Sequence, residues 1–167
     1  MIKDADYWIE KLGLSPHPEG GYWVQTYRSS ERIAGGCLPD RFNGTRIFSS
    51  AIYYLLKGNQ ISAFHRIKAD ELWHYYAGSS VILYAIDEAG TLIERKLGSN
   101  PETGESFQVM MKAECWFGAK VDDLASYSLV GCTVAPGFEF DDFEIGDRST
   151  LIGRFPRHRS IIEQLTK

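Results

Sequence analysis

From Gly20 to Pro136 the chain is a succession of short runs rich in β-branched and aromatic residues, separated by turn residues at close, even intervals. GGYWVQTYRS is the first run, and TRIFSSAIYYLL, QISAFHRI, ELWHYYAG, SVILYAI, TLIERKL, SFQVMM, ECWFGA and SYSLVGCTVAP follow. The pattern predicts about nine strands. Lys57-Gly58-Asn59, Asp87 to Gly90, Gly98 to Gly104 and Pro136-Gly137 supply the reversals, because Gly and Asn tolerate positive φ and Pro fixes it. No helical pattern intervenes to carry a crossover, which excludes a βαβ sheet and leaves a sandwich or a closed barrel.

Short helices are expected at both ends. Ala5, Trp8, Ile9 and Leu12 fall on one helical face, and Gly13 with Ser15-Pro16 ends that pattern. Near the C-terminus Ser160 and Glu163 have capping-box spacing, with Ile161, Ile162 and Leu165 as the apolar stripe. At 167 residues and 18.9 kDa, one domain over 1–167 is expected, large enough to bury a core without disulfide or metal staples. Cys37, Cys115 and Cys132 are odd in number and far apart, and they read as free thiols, the last two as small buried hydrophobes.

Lys and Arg number 18 against 22 Asp and Glu, a formal charge of -4, so no broad positive field is available to attract nucleic acid. The opening MIKDADYWIEKLGL carries acids where a signal peptide needs a basic start. No stretch approaches the roughly 20 apolar residues of a membrane span. The expectation is a cytoplasmic protein with neither a nucleic-acid nor a membrane partner.

Alternation along QISAFHRI puts Ile61, Ala63, His65 and Ile67 on one face and Ser62, Phe64 and Arg66 on the other. On the next strand Glu71, Trp73 and Tyr75 share a face, opposite Leu72, His74 and Tyr76. With Glu71 turned inward beside His65, His74 faces away unless a bulge intervenes. A converging His and Glu either ligate a divalent metal or form an oriented acid–base couple. Zinc or iron ordinarily takes at least three protein ligands, more than this parity supplies. His17 and Glu19 lie in Ser-Pro-His-Pro-Glu-Gly-Gly, a shaped turn that can wall a pocket, and Arg28 beyond it can offer a planar fork to a carboxylate or phosphate. Gly137 to Glu144 (GFEFDDFE) alternates as an amphipathic strand with its acids on a wet face.

His65, Ile67, Glu71 and Gly78 resemble the first cupin motif, with Ile67 at its second histidine; the second motif falls on Lys112 to Phe117, with Phe117 at its histidine. The longer blocks HPEGGYW, SSAIYYLL, FHRIKADELWHYYAG, WFGA and LVGCTVAPGFEFDDFE are similar to the Cupin_5 branch over nearly the whole chain. That resemblance implies a mainly β chain folded as a double-stranded β-helix, or jelly roll, with a ligand cavity inside the barrel, and a homodimer. It also implies that Ile67 and Phe117 replace two customary metal ligands. No cofactor is therefore expected, with His65 and Glu71 the ligands if a divalent metal binds. Sugar-nucleotide 3,5-epimerases share the fold, need no metal and use a barrel histidine as base.

On that analogy the expected function is small-molecule binding with metal-independent epimerase or isomerase chemistry on a carbohydrate-like substrate. His65 is the expected base, Glu71 orients it or binds substrate, Arg28 meets an anion, and Glu19, Trp73 and Tyr75 contact substrate. Tyr53, Tyr75 and Tyr84 are the candidate acids. The alternative is a cavity that holds its ligand without turnover; a metal-dependent enzyme is the third reading, disfavoured by Ile67 and Phe117.

Overall fold

The computed structural model describes residues 3–167. In chain order the strands are β1 Ser15–Pro16, β2 Tyr22–Arg28, β3 Arg32–Ile33, β4 Arg46–Ile47, β5 Ser50–Lys57, β6 Ile61–Ile67, β7 Asp70–Gly78, β8 Val81–Ile86, β9 Leu92–Leu97, β10 Glu105–Ser106, β11 Gln108–Met111, β12 Trp116–Val121, β13 Tyr127–Ala135 and β14 Phe143–Ile145. The helices are α1 Ala5–Leu12, α2 Arg148–Arg154 and α3 Arg159–Gln164. Each expected run contains a strand, and the chain is mainly β.

Two six-stranded sheets, ordered β1-β2-β5-β13-β7-β11 and β10-β9-β8-β12-β6-β14, make a jelly-roll sandwich, and β3 and β4 form a separate ladder. The sheets do not close into the expected barrel. Each keeps two edge strands, β1 and β11 in one and β10 and β14 in the other, so closure is replaced by face-to-face packing.

The main core lies between the sheets, where Tyr54, Trp73 and Val130 from the first meet Leu83, Phe117 and Ala119 from the second. Both outer faces are partly covered as well. Asp4 caps α1 by accepting the Tyr7 N–H (2.9 Å), and Gly13 closes it at φ 64°. Its Trp8, Ile9 and Leu12 then pack on Leu55 and Leu129 of the first sheet. On the second sheet, Phe64, Ile86 and Trp116 pack against Leu151, Ile162 and Leu165 of the C-terminal segment. Burying a ring such as Phe64, with no exposed surface, is worth about 1.5–3 kcal/mol.

Helix α2 departs from the expected single closing helix. Asp147 caps it, accepting the Thr150 N–H at 2.8 Å and the hydroxyls of Ser149 and Thr150 at 2.7 Å. The GFEFDDFE run also differs from an amphipathic strand: Phe140–Asp142 is a 3-10 turn, only Phe143 onward pairs with β6, and Asp142 is buried. Its carboxylate goes inward because Arg46 is there to pair with it. No helix among the described residues is long and apolar enough to cross a membrane.

Candidate functional site

The site begins in the turn before β2. The His17 N–H donates to the Gly21 carbonyl and the Gly20 N–H to the His17 carbonyl, both at 3.0 Å. Gly20 stands at φ +121°, and a Cβ there would run into the Ile61 carbonyl oxygen, so the turn requires glycine. From β5 the Tyr54 hydroxyl donates to the Gly20 carbonyl at 2.8 Å and pins the turn. Glu19 is thereby carried inward and left only 6% exposed.

Strand β6 meets this turn with a break in its alternation. Against β12, Phe117 pairs with His65 and Ala119 with Ser62, so β6 spends one residue more than its partner. Such a bulge re-aims side chains. Ser62 and His65 turn to the same side, towards Glu19, while Ile61 and Phe64 pack beneath the C-terminal helices. Strict parity had grouped Ser62 with Phe64 and His65 with Ile61; the extra residue is the reason both pairings fail. Backbone groups at the bulge find partners elsewhere: the Ala63 N–H donates to the Glu19 carbonyl (2.9 Å), the Phe64 N–H to the Leu165 carbonyl (2.6 Å), and the Gly146 N–H to the Phe64 carbonyl (2.7 Å).

His65 is 2% exposed, and its Nδ1 lies 2.8 Å from the Ala63 carbonyl oxygen. A carbonyl only accepts, so Nδ1 carries a hydrogen and the neutral ring has a bare Nε2. That Nε2 faces Glu19 Oε2 at 3.3 Å. A bare nitrogen and a carboxylate oxygen are both acceptors, so the contact requires one proton between them, held by the imidazole or by the carboxyl. Glu19 Oε1 accepts the Ser62 hydroxyl at 2.8 Å. His17 Nδ1 accepts the Glu19 N–H at 3.3 Å, and burial lowers the pKa of His17 against the opposing pull of Glu19, which keeps that ring neutral.

Glu71 approaches from β7. It is 8% exposed, and burial pushes its carboxyl up to about 7, with His65 opposing the shift and Glu19 adding to it. The Cys132 thiol and the Trp73 indole N–H lie beside it. Trp73 Nε1 makes no directed hydrogen bond to any partner. Burial likewise raises the Cys132 thiol and the Tyr54 phenol well above their ordinary values, so both stay protonated at neutral pH.

His17, Glu19, Tyr54, His65, Glu71 and Cys132 line a cavity of about 110 Å³, room for several waters or a small ligand. Ile52, Ile67 and Val134 supply apolar wall, and the rings of Trp23, Phe138, Phe140 and Phe143 complete it. His65 stacks obliquely between Phe117 (4.2 Å between centroids) and Phe143 (5.4 Å).

His65, Glu71, Glu19 and Arg28 all line this cavity. Arg28 sits at its more exposed rim, where Nη2 is held by Glu139 Oε1 at 2.6 Å. The acid paired with the His65 ring is Glu19, from a turn far away in sequence. Trp73 and Tyr75 do not line the cavity: Trp73 is sealed edge-on against Tyr54, and the Tyr75 hydroxyl donates to the Gly78 carbonyl. Tyr53 packs edge-on against Tyr76 under the α1 face, and Tyr84 lies beside Lys120, so neither is placed to serve as an acid there. The tyrosine in the cavity is Tyr54. His74 faces away, its ring nitrogens against Thr133 Oγ1 (3.0 Å) and the Gln108 amide (3.1 Å).

Among the described residues no three His, Cys, Asp or Glu side chains are grouped to hold a metal ion. His65 directs one nitrogen to Ala63 and the other to Glu19, and Ile67 and Phe117 offer no donor atom. This donor set does not fit a metal centre of the usual three or four protein ligands.

The chain matches a protein from Shewanella oneidensis, solved by X-ray crystallography, at 37% identity over 99% of both chains with a TM-score of 0.89. It is similar to a hypothetical protein from Leishmania major at 34% identity over 98% of both chains, also with a TM-score of 0.89. Oxalate decarboxylase from Bacillus subtilis shares the fold at 14% identity and a TM-score of 0.54; the match covers 90% of this chain and 36% of that one. No curated protein matches the chain. Residues 6–146 match the family model Cupin_5, described as cupin superfamily (DUF985), and the chain belongs to that family.

Proposed function

We propose that the cavity binds a small molecule and moves a proton on it, the chemistry of an epimerase or isomerase that works on hydrogen α to a carbonyl. The observation that carries this reading is the His65–Glu19 contact, in which Nδ1 is committed to the Ala63 carbonyl and a single proton serves two facing acceptors at 3.3 Å. Such a pair gives up or takes a proton without re-orienting the ring, which is what a general acid–base needs. Glu71 supports the reading as a second proton carrier, because a carboxyl that titrates at about 7 is present in both forms at neutral pH. Apolar walls shield the transferred proton from bulk water, and flat rings such as Trp23 and Phe143 suit the C–H face of a carbohydrate-like ligand.

The test is incubation of the purified protein in D2O with a panel of aldoses, ketoses and sugar nucleotides, following the α C–H signals by NMR. Solvent deuterium enters at least one panel member with wild type, and the rate falls about 10²–10⁴-fold in His65→Gln. Binding by calorimetry with no deuterium incorporated in any member makes the chain a ligand-binding protein.

A further inference from the structure

We infer that the cavity selects against negative charge: its ligand is an uncharged or cationic small molecule that delivers a hydroxyl or amino hydrogen to the Glu71 carboxyl. This deepens the reading above and rests on it for the location of the site, but not for turnover.

The argument starts from the charges that line the cavity. Among the described residues three carboxyl groups do so, Glu19, Glu71 and Glu139, whereas Arg28 is the one lining Lys or Arg side chain, and its Nη2 is held by Glu139 at 2.6 Å. Any positive charge on His65 is matched by Glu19 at 3.3 Å. An anion entering this apolar space would therefore meet carboxylates without a free cation to offset them, and like charge in low dielectric is strongly repulsive.

Glu71 then supplies the attraction. It is 92% buried by its 8% exposure, it lines the cavity, and its protein neighbours leave it short of donors. Cys132 is a weak donor, and the indole N–H of Trp73 makes no directed bond. The groups facing it from other elements are His65 on β6, Glu19 on the turn and Cys132 on β13. A buried carboxyl whose neighbouring donors are a thiol and a poorly aligned indole N–H leaves hydrogen-bonding free energy unrealised, and a ligand hydroxyl or ammonium recovers it. Trp23, Phe138, Phe140 and Phe143 complete the match, since aromatic faces accept the C–H surface of a polyol and attract an ammonium group. Phosphate-bearing ligands, the usual cargo of sugar-nucleotide enzymes, are disfavoured by the same features.

The experiment is isothermal calorimetry with matched probes: D-glucose, D-glucamine (1-amino-1-deoxy-D-glucitol), D-gluconate and glucose 6-phosphate, on wild type and Glu71→Gln, at pH 6 and pH 8. The expected result is that glucose or glucamine binds at least about tenfold more tightly than either anion. Glucamine, whose primary ammonium stays charged at both pH values, should gain affinity from pH 6 to pH 8 in wild type, and Glu71→Gln should abolish that gain. The inference is overturned if an anion binds as well as the uncharged or cationic probes, if none of the four binds, or if Glu71→Gln leaves the pH dependence intact. If the proton-transfer reading alone is wrong, the charge ranking survives while bound probes incorporate no deuterium. Because the wild-type ranking is decisive on its own, the test holds even if the variant folds poorly.

Discussion

Two buried acid–base groups in this molecule are built to opposite rules. In the first, Arg46 meets Asp142 with a fork of two 2.6 Å bonds, Nε to Oδ2 and Nη2 to Oδ1, and its Nη1 donates to the carbonyls of Asn43 (2.7 Å) and Thr45 (3.0 Å). Lys68 adds a third charge to the cluster at 3.6 Å from Asp142. The guanidinium pKa is raised further by its hydrogen bonds to Asp142, so Arg46 keeps its charge. In the second group, His65 and Glu19 face each other across 3.3 Å with one proton between them, and Glu71 nearby has beside it only the Cys132 thiol and the Trp73 indole N–H, which is not aligned on any acceptor. Burial is comparable in the two. What differs is saturation: full pairing makes a strut between β4 and the segment before β14, whereas incomplete pairing leaves a site able to exchange protons and accept a ligand.

The largest effect that would sharpen this contrast is Arg46→Ala, which strands the buried Asp142 and should cost about 3–5 kcal/mol in chemical denaturation. A loss below about 1 kcal/mol would place this pair with ordinary surface ion pairs and erase the distinction. Glu71→Gln should move stability the other way and only at higher pH. A folded-state pKa of about 7 against the ordinary 4.5 means the folded protein binds the proton more tightly, so the contribution of Glu71 to stability is fully present below 4.5 and is lost as pH rises through 7. The variant should escape that fall and gain up to about 3 kcal/mol over wild type at pH 8, with no gain at pH 4. Parallel pH profiles for the two proteins would mean that Glu71 is paired as fully as Asp142.

Gly20→Ala should come next, at about 1–3 kcal/mol, because it places a side chain at φ +121° against the Ile61 carbonyl. Deuterium exchange should fall with it, since Glu19 is the adjoining residue; intact exchange would separate the turn from the chemistry. The smallest effect belongs to Arg28→Ala. Its pair with Glu139 is more than a third exposed on the arginine side, so stability should change by less than about 1 kcal/mol in thermal melts.

Much of this architecture was legible in the residues. Alternating runs and turn dipeptides marked the strands, and the spacing of His65 and Glu71 pointed to the cavity. Less legible was everything that depended on a face being chosen. SAIYYLL is apolar on both sides because α1 covers one face of β5 and the core the other, so alternation could not separate inward Tyr54 from outward Tyr53. The bulge at Ala63 has no glycine on its own strand; its mark is Gly118 across from it on β12, where a Cβ would crowd the Ser62 carbonyl, and the extra residue shows only in that pairing. Glu19 reaches His65 through a turn docked by long-range backbone bonds, which local sequence does not encode. Helix α2 did have a local mark, the cap at Asp147 with Ser149 and Thr150, but Leu151 and Ile152 make too short a stripe to reveal it.

The carbonyl of Leu165 that receives the Phe64 N–H has a consequence at the bench. Phe64 is the residue beside His65, and the Lys167 ammonium donates to the Pro18 carbonyl, the residue beside Glu19. A change at residues 165–167 thus perturbs both partners of the proton-sharing pair at once. A preparation altered there and found inert would report on its own tailoring, and assays are best run with those residues untouched.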